Sequence, residues 1–321
     1  MKIVKSSVEI LPQEKGVEGM YKLIERVGRT SYQSLDKITD DSYKKFLKML
    51  YDRGHWAVFN LGAVYLSVPV DKYPEELNIL GTKPYSSYTR WATKDDNYLI
   101  TTNYRVICQT GLQKEMEEFW CDPTEEHYHR VCTYWVCSRS IANELVRHRI
   151  MSFCQSSTRY INYNKEKFGS GLTYILPQWI YRVRDEIADT VDSLTGEKNR
   201  EYLKDLDGEE LWDALCAYDR TVAARDRFWR VAEDEYIYET TNDEGEHLKP
   251  EEARDCLPLG LKTEICMAGF VSDFTLIPNK NTPEKVGFFY LRSASDAHPD
   301  IRVLSDSLKE QFKEQGIYNL K

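Results

Sequence analysis

Residues 138–163, SRSIANELVRHRIMSFCQSSTRYINY, hold four arginines (Arg139, Arg147, Arg149, Arg159) against one acid, Glu144, for a local net charge of +3. Guanidinium forks bind phosphate bidentately and closely spaced hydroxyls add neutral donors. Ser152, Ser156, Ser157, Thr158 and Arg159 therefore form a candidate phosphate or nucleotide cradle. The rest of the chain gives no such hint. Over 321 residues it has 43 basic and 52 acidic side chains and a net charge of -9, which argues against broad binding to nucleic acid or to an anionic membrane surface. An anionic ligand must be held by a local cluster. Taken alone, an Arg-His-Arg triplet at a helix end also reads as a terminus whose cations favour the helix dipole, and a serine-rich turn reads as an ordinary loop.

The elements that must position this cluster follow from periodicity. Val17, Met20, Leu23, Ile24 and Val27 recur at helical spacing, and Tyr43, Phe46, Leu47 and Leu50 follow an Asp40-Asp41-Ser42 start and stop at Gly54, so two amphipathic helices open the chain. Segments 57–70 and 98–108 are rich in β-branched and aromatic residues and read as strands. From about Glu125 to Val146, residues Val131, Trp135, Ile141, Ala142 and Leu145 fit one helical face, which puts Arg147, His148 and Arg149 at or just past that helix's C-terminal end. A helix near 211–233 is expected from Leu211, Leu215, Val222 and Phe228, with a loop at 241–245. A short helix after Pro250 should end before Pro258, and Pro299 suits the first turn of a last helix carrying Ile301, Leu304, Leu308 and Phe312.

With 41% apolar and 12% aromatic residues, the chain can bury a substantial core as one large domain or two smaller ones. No stretch approaches the roughly 20 apolar residues that span a bilayer. The start, Met1-Lys2-Ile3-Val4-Lys5, lacks the apolar run of a signal peptide. The eight cysteines are scattered without a CxxC pair, which suits a reducing compartment, and a cytoplasmic protein is expected.

The spacing Arg147-His148-Arg149, Ser152, Ser157, Arg159-Tyr160 resembles the RHRxxSxxxxSxRY signature of the flavin-dependent thymidylate synthases. Chance agreement at seven fixed positions is on the order of 10⁻⁷ for equally frequent residues. ARDCLPLGLKTEI (253–265) is similar to the family's Arg-x-x-Leu-Pro segment, and YLRSASDAHPDIR (290–302) to its Leu-Arg element. Arg53-Gly54-His55 is similar to its Gly-His segment. The resemblance implies an α+β fold, a mainly antiparallel or mixed sheet flanked by long helices, in a single catalytic domain over 1–321 with insertions near 71–97 and 165–250. It implies a homotetramer with active sites shared between subunits.

The activity so implied is reductive methylation of dUMP to dTMP, with FAD as cofactor and 5,10-methylenetetrahydrofolate and NADPH as co-substrates. Residue by residue, Arg147, His148, Arg149, Gln155 and His55 would contact the flavin. Glu144, Arg147, Gln155, Ser156, Ser157, Thr158, Arg159, Arg254 and Arg292 would line the dUMP site, although some members have Gln at the position of Glu144. Arg292 inherits the catalytic role: a fixed guanidinium beside N3 favours the ionised uracil ring. Ser157, at the centre of the site, would be catalytic with Arg292. No cysteine nucleophile is needed.

The match also departs from the family. An Asn-x-Arg pair usually follows Leu-Pro, whereas a gapless extension from Arg254 puts Phe270 and Ser272 there. Ala57 and Asn60 stand where the family often has Thr and an acid, and an insertion lies near 278–283. Either substitute contacts hold the flavin or it binds more weakly. A nucleotide-binding protein that kept the dUMP cradle but lost flavin chemistry is therefore the alternative, and a single-strand binder stacking bases on Tyr160 and Tyr163 a third reading that the acidic chain disfavours.

Other residues read blandly. His127, His129, Cys132 and Cys137 fall on the expected 125–146 helix with 127 and 129 on different faces, so no metal site is expected. Cys154, inside the proposed pocket, reads as packing. Arg105 reads as outward on a strand, His298 as a helix-start residue, and the acidic runs 233–239 and 243–246 as solvated faces.

Overall fold

The structure is a computed structural model and describes residues 1–159, 161–164, 171–241, 248–278 and 286–320. The chain divides into two compact units. The first comprises Met1–Ser7, Val136–Asn143 and Ser157–Thr263, and the second Val8–Trp135, Glu144–Ser156 and Glu264–Lys321. The fold is α+β, with mainly antiparallel strand pairing.

In the second unit, helices α1 (Gly16–Ser31) and α2 (Ser42–Asp52) form as their apolar spacing predicts. Met20, Leu23, Ile24 and Val27 of α1 and Tyr43, Phe46, Leu47 and Leu50 of α2 are buried in one cluster. That cluster also takes Val64, Leu66 and Val68 of strand β3 (Ala63–Pro69). Strand β5 (Asn97–Asn103) lies between β3 and β4 (Arg90–Lys94), antiparallel to both, with Ala63 opposite Asn103 and Arg90 opposite Thr101. The expected strands are trimmed at their ends. Residues Val58–Leu61 form a 3-10 turn, and Tyr104–Thr110 form helix α3 because the buried Asn103 side chain accepts the Val106 N–H (3.1 Å) and starts a helix. Arg105 thus lies on a helix.

The larger correction concerns residues 125–146. They hold strand β6 (Arg130–Ser138) followed by a short helix, α5 (Arg139–Leu145). The run VCTYWVC is apolar or β-branched at nearly every position, so a helical stripe can be drawn through it, but its composition favours a strand covered on both faces. β6 lies inside a four-stranded sheet of order β2-β6-β9-β7, with β2 Ser7–Leu11, β7 Ser152–Gln155 and β9 Lys262–Phe270. His127 and His129 precede the strand: His127 Nδ1 accepts the Thr124 N–H (3.1 Å), and His129 Nε2 bonds the Thr124 carbonyl (2.9 Å). The last helix, α12 (Pro299–Glu314), buries Ile301, Leu304, Leu308 and Phe312, and His298 caps it by accepting the Asp300 N–H (3.3 Å).

The first unit pairs β1 (Lys2–Val4) in parallel with β8 (Thr173–Ile175). With β8, helices α6 (Trp179–Ala188), α7 (Gly208–Cys216), α8 (Arg220–Thr241) and α9 (Pro250–Ala253) carry a core of Tyr174, Ile180, Leu211, Trp212, Trp229 and Tyr236. The single helix expected near 211–233 is broken at 217–219, where the Asp219 carboxylate accepts the N–H groups of Thr221 (2.8 Å) and Val222 (2.9 Å) and starts α8 afresh. Glu233 corrects the solvated-face reading of 233–239. It is buried, pairs with the Met1 amino group (2.9 Å) and accepts the Leu172 N–H (2.8 Å). The acidic run 243–246 lies outside the described residues.

Candidate active site

Helix α5 ends at Leu145 and unwinds in overlapping turns: Arg147 N–H donates to Glu144 O (3.3 Å), His148 N–H to Leu145 O (3.1 Å) and Met151 N–H to His148 O (3.0 Å). These turns leave Arg147 and Arg149 exposed and turn His148 inward. The His148 ring meets Phe288 edge to face at 5.0 Å, and Phe288 in turn meets Trp135 at 5.6 Å.

Phe288 opens helix α11 (Phe288–Arg292), whose last residue delivers Arg292 to the same place. Arg292 Nε donates to His148 Nε2 (2.9 Å), Nη1 to Glu144 Oε2 (2.8 Å) and Nη2 to the Glu144 carbonyl (3.4 Å). Three of the five guanidinium N–H groups are so used, and the side chain is 21% exposed. The arginine is oriented and still open to a ligand. Because Nε2 accepts, His148 is the neutral tautomer with its proton on Nδ1. Burial first, and the Arg292 charge second, push its pKa down to about 4.

That shift has a consequence for stability. The unfolded chain takes up a proton near pH 6.5, the ordinary value, and folded His148 only near pH 4, so stability is intact above pH 6.5 and falls as pH drops through the window between. The expected loss at the acid end is roughly 2–3 kcal/mol. Urea midpoints at pH 7 and pH 4.5 check it: His148→Gln, which can still accept from Arg292, should lose His148's share of the pH dependence and keep that of His127 and His129, whose pKa values burial also lowers. An unchanged dependence would contradict the assignment.

Other expected site residues of the second unit collect on β7 and beside it. β7 pairs antiparallel with β9, Gln155 opposite Ile265. Ser156 continues that pairing, donating its N–H to Glu264 O (2.8 Å) and accepting the Glu264 N–H on Oγ (3.2 Å). His55 follows Gly54, whose left-handed φ of 69° turns the chain out of α2, and His55 N–H bonds Leu50 O (2.9 Å). The Tyr32 hydroxyl is hydrogen-bonded to His55 Nδ1 (2.5 Å), and the neighbouring Gln33 donates Nε2–H to Glu264 Oε2 (3.0 Å). A chain of contacts thus runs from His55 through Tyr32 and Gln33 to Glu264 and Ser156. Tyr32, Gln33 and Glu264 were not among the expected residues, and no motif marks them. Cys154 is buried with its thiol on the Ser31 hydroxyl, and burial pushes its pKa up, which fits packing.

Ser157, Thr158, Arg159 and Arg254 belong to the first unit. Ser157 Oγ accepts the Arg159 N–H (3.2 Å), a local turn that leaves Arg159 exposed and Thr158 buried. Arg254 is exposed at the start of a 3-10 turn, Arg254–Cys256. Tyr160 lies outside the described residues. Phe270 is 1% exposed, with the guanidinium groups of Arg90 (4.6 Å) and Arg130 (5.0 Å) over its ring. Its position is spent on packing. A cavity of about 390 Å³ in the second unit, lined by Tyr65, Trp120, His129 and Cys132 among others, includes none of the expected site residues.

The family model described as thymidylate synthase complementing protein matches residues 124–315. No curated protein matches the chain. Among solved structures, the UMP/dUMP methylase PolB from Streptomyces cacaoi bound with 5-Br dUMP is similar, at 12% identity and a TM-score of 0.38, over 98% of this chain and 93% of that chain. The same methylase bound with 5-Br UMP is similar at 12% identity and a TM-score of 0.39, over 99% of this chain and 94% of that chain.

Proposed function

The chain belongs to the thymidylate synthase complementing protein family, and from that premise we propose that it is a flavin-dependent thymidylate synthase converting dUMP to dTMP with 5,10-methylenetetrahydrofolate and NADPH. The observation that carries the reading is Arg292, fixed by His148 and Glu144 yet open on one side. Such a guanidinium, placed at the N3 side of a uracil ring, stabilises the negative charge that makes C5 nucleophilic. Glu144 offsets part of that charge and fixes its direction. Neutral His148 adds no competing cation. Ser157, Arg159 and Arg254 grip the nucleotide, with Arg147, Gln155, Ser156 and Thr158.

The residues present fit a flavin dinucleotide: Arg147 and Arg149 offer exposed guanidinium groups for a diphosphate, and His148 keeps an Nδ1–H donor. FAD bound there would supply the hydride that completes the methyl group. The reading includes one catalytic domain with the insertions near 71–97 and 165–250, a homotetramer with shared sites and a cytoplasmic setting. Among the described residues no helix is long and apolar enough to cross a membrane.

The buried Phe270 favours a second reading, a dUMP-binding protein without flavin chemistry. Tritium release from labelled dUMP, with flavin, NADPH and the folate omitted in turn, separates the two. Release that needs all three supports the synthase. Binding of dUMP by colourless protein with no release supports the alternative.

A further inference from the structure

We propose that the outward face of α8 docks a second copy of this chain, helix against helix in antiparallel two-fold array. The 22-residue helix is apolar on two sides. One side, Val222, Trp229, Ala232 and Tyr236, is buried in the first unit's core. On the other, Ala224, Phe228, Val231, Glu235 and Tyr238 follow at steps of four, three, four and three, the spacing of a helix-pairing seam. Phe228, Val231 and Tyr238 are 55%, 64% and 65% exposed. The stripe is apolar except at Glu235, and such a face marks an interaction surface.

Charge names the occupant. Arg220, Arg225, Arg227 and Arg230 lie in the first half of α8, and Asp234, Glu235 and Glu239 in the second. Asp226, the one acid of the first half, takes up Arg230 (2.7 Å), and Glu233 is turned inward onto the Met1 amino group (2.9 Å), which leaves Arg220, Arg225 and Arg227 against Asp234, Glu235 and Glu239. A parallel pair of such helices sets like charges side by side. An antiparallel pair lays each basic half along an acidic half, packs Phe228 on the partner's Val231 and brings Arg227 beside the partner's Asp234, twice by symmetry. The partner the face fits is thus itself. The surface belongs to the assembly proposed above, but the argument stands on α8 alone and its test needs no turnover.

Sedimentation equilibrium of the full chain at micromolar concentration reads it. Phe228→Asp/Val231→Asp should halve the mass of the wild-type assembly at unchanged helix content. Arg227→Glu and Asp234→Arg should each weaken association about five- to tenfold, and the two together should restore it. A monomeric wild type, a Phe228→Asp/Val231→Asp assembly of wild-type mass, or a charge swap that fails to restore association would each overturn the proposal. If the first variant does not fold, the charge swap decides alone.

Discussion

Replacing Arg292 with alanine is expected to cut dTMP formation by about three orders of magnitude while leaving the fold intact. The side chain spends three N–H groups on His148 and Glu144, and those partners hold the guanidinium at one angle before any substrate arrives. A donor fixed in advance stabilises charge at the moment it develops without reorganising, so the loss should fall on kcat more than on dUMP affinity. Stability should change little. The Arg292 and Glu144 side chains are 21% and 30% exposed, so water can take up the Glu144 carboxylate once its partner is gone.

Two companion variants tell charge from orientation. Arg292→Lys keeps the cation but lacks the fork that reaches His148 and Glu144 together, so it should recover little activity. Glu144→Gln keeps an acceptor for Nη1 and removes the neutralising charge, so it should retain far more turnover than Arg292→Ala. Steady-state tritium release gives kcat, and calorimetric titration with dUMP gives affinity. Wild-type-like turnover in Arg292→Ala would refute the assigned role.

Local chemistry was legible in the sequence wherever one segment decides the outcome. Helix α1, α2 and α12 each bury the stripe their spacing defines, and the arginines of the triplet stand at a helix end because α5 stops two residues before them. What the sequence alone leaves unread depends on partners distant in sequence. Arg292 and Glu144 are 148 residues apart, so their pairing has no local signal. Gln33 sits in a left-handed turn, φ 48°, that sends its amide to Glu264, and a helix-end glutamine gives no warning of that. Glu233 looks like one more surface acid until the chain's own amino group is found against it. β6 departs from the expected helix for a different reason. A run apolar at almost every position satisfies any period, and only its neighbours in the sheet select the strand.

Truncating Trp229 to alanine should destabilise the first unit by about 4 kcal/mol. Trp229 is the middle ring of a stack, 4.4 Å from Tyr174 at 3° on one side and 4.8 Å from Trp212 at 12° on the other. Its loss removes the ring that stacks on both a strand residue and a helix residue. The outer rings keep hydrogen bonds that the truncation does not remove, Tyr174 by its hydroxyl to the backbone carbonyl of residue 229 (3.1 Å) and Trp212 by Nε1–H to Asp226 (3.1 Å), so they cannot simply close the gap. Gly260 gives an independent check. A Cβ at that position would lie 2.7 Å from the Trp229 ring, and Gly260→Ala should cost about 1–3 kcal/mol by overpacking. Once Trp229 is alanine, the same methyl group meets the vacated space, and Gly260→Ala should cost nothing further or regain some stability. A double-mutant cycle of urea midpoints measures this coupling. If the two losses simply add, the ring does not fill the space against Gly260, and the cavity argument for Trp229 fails with it.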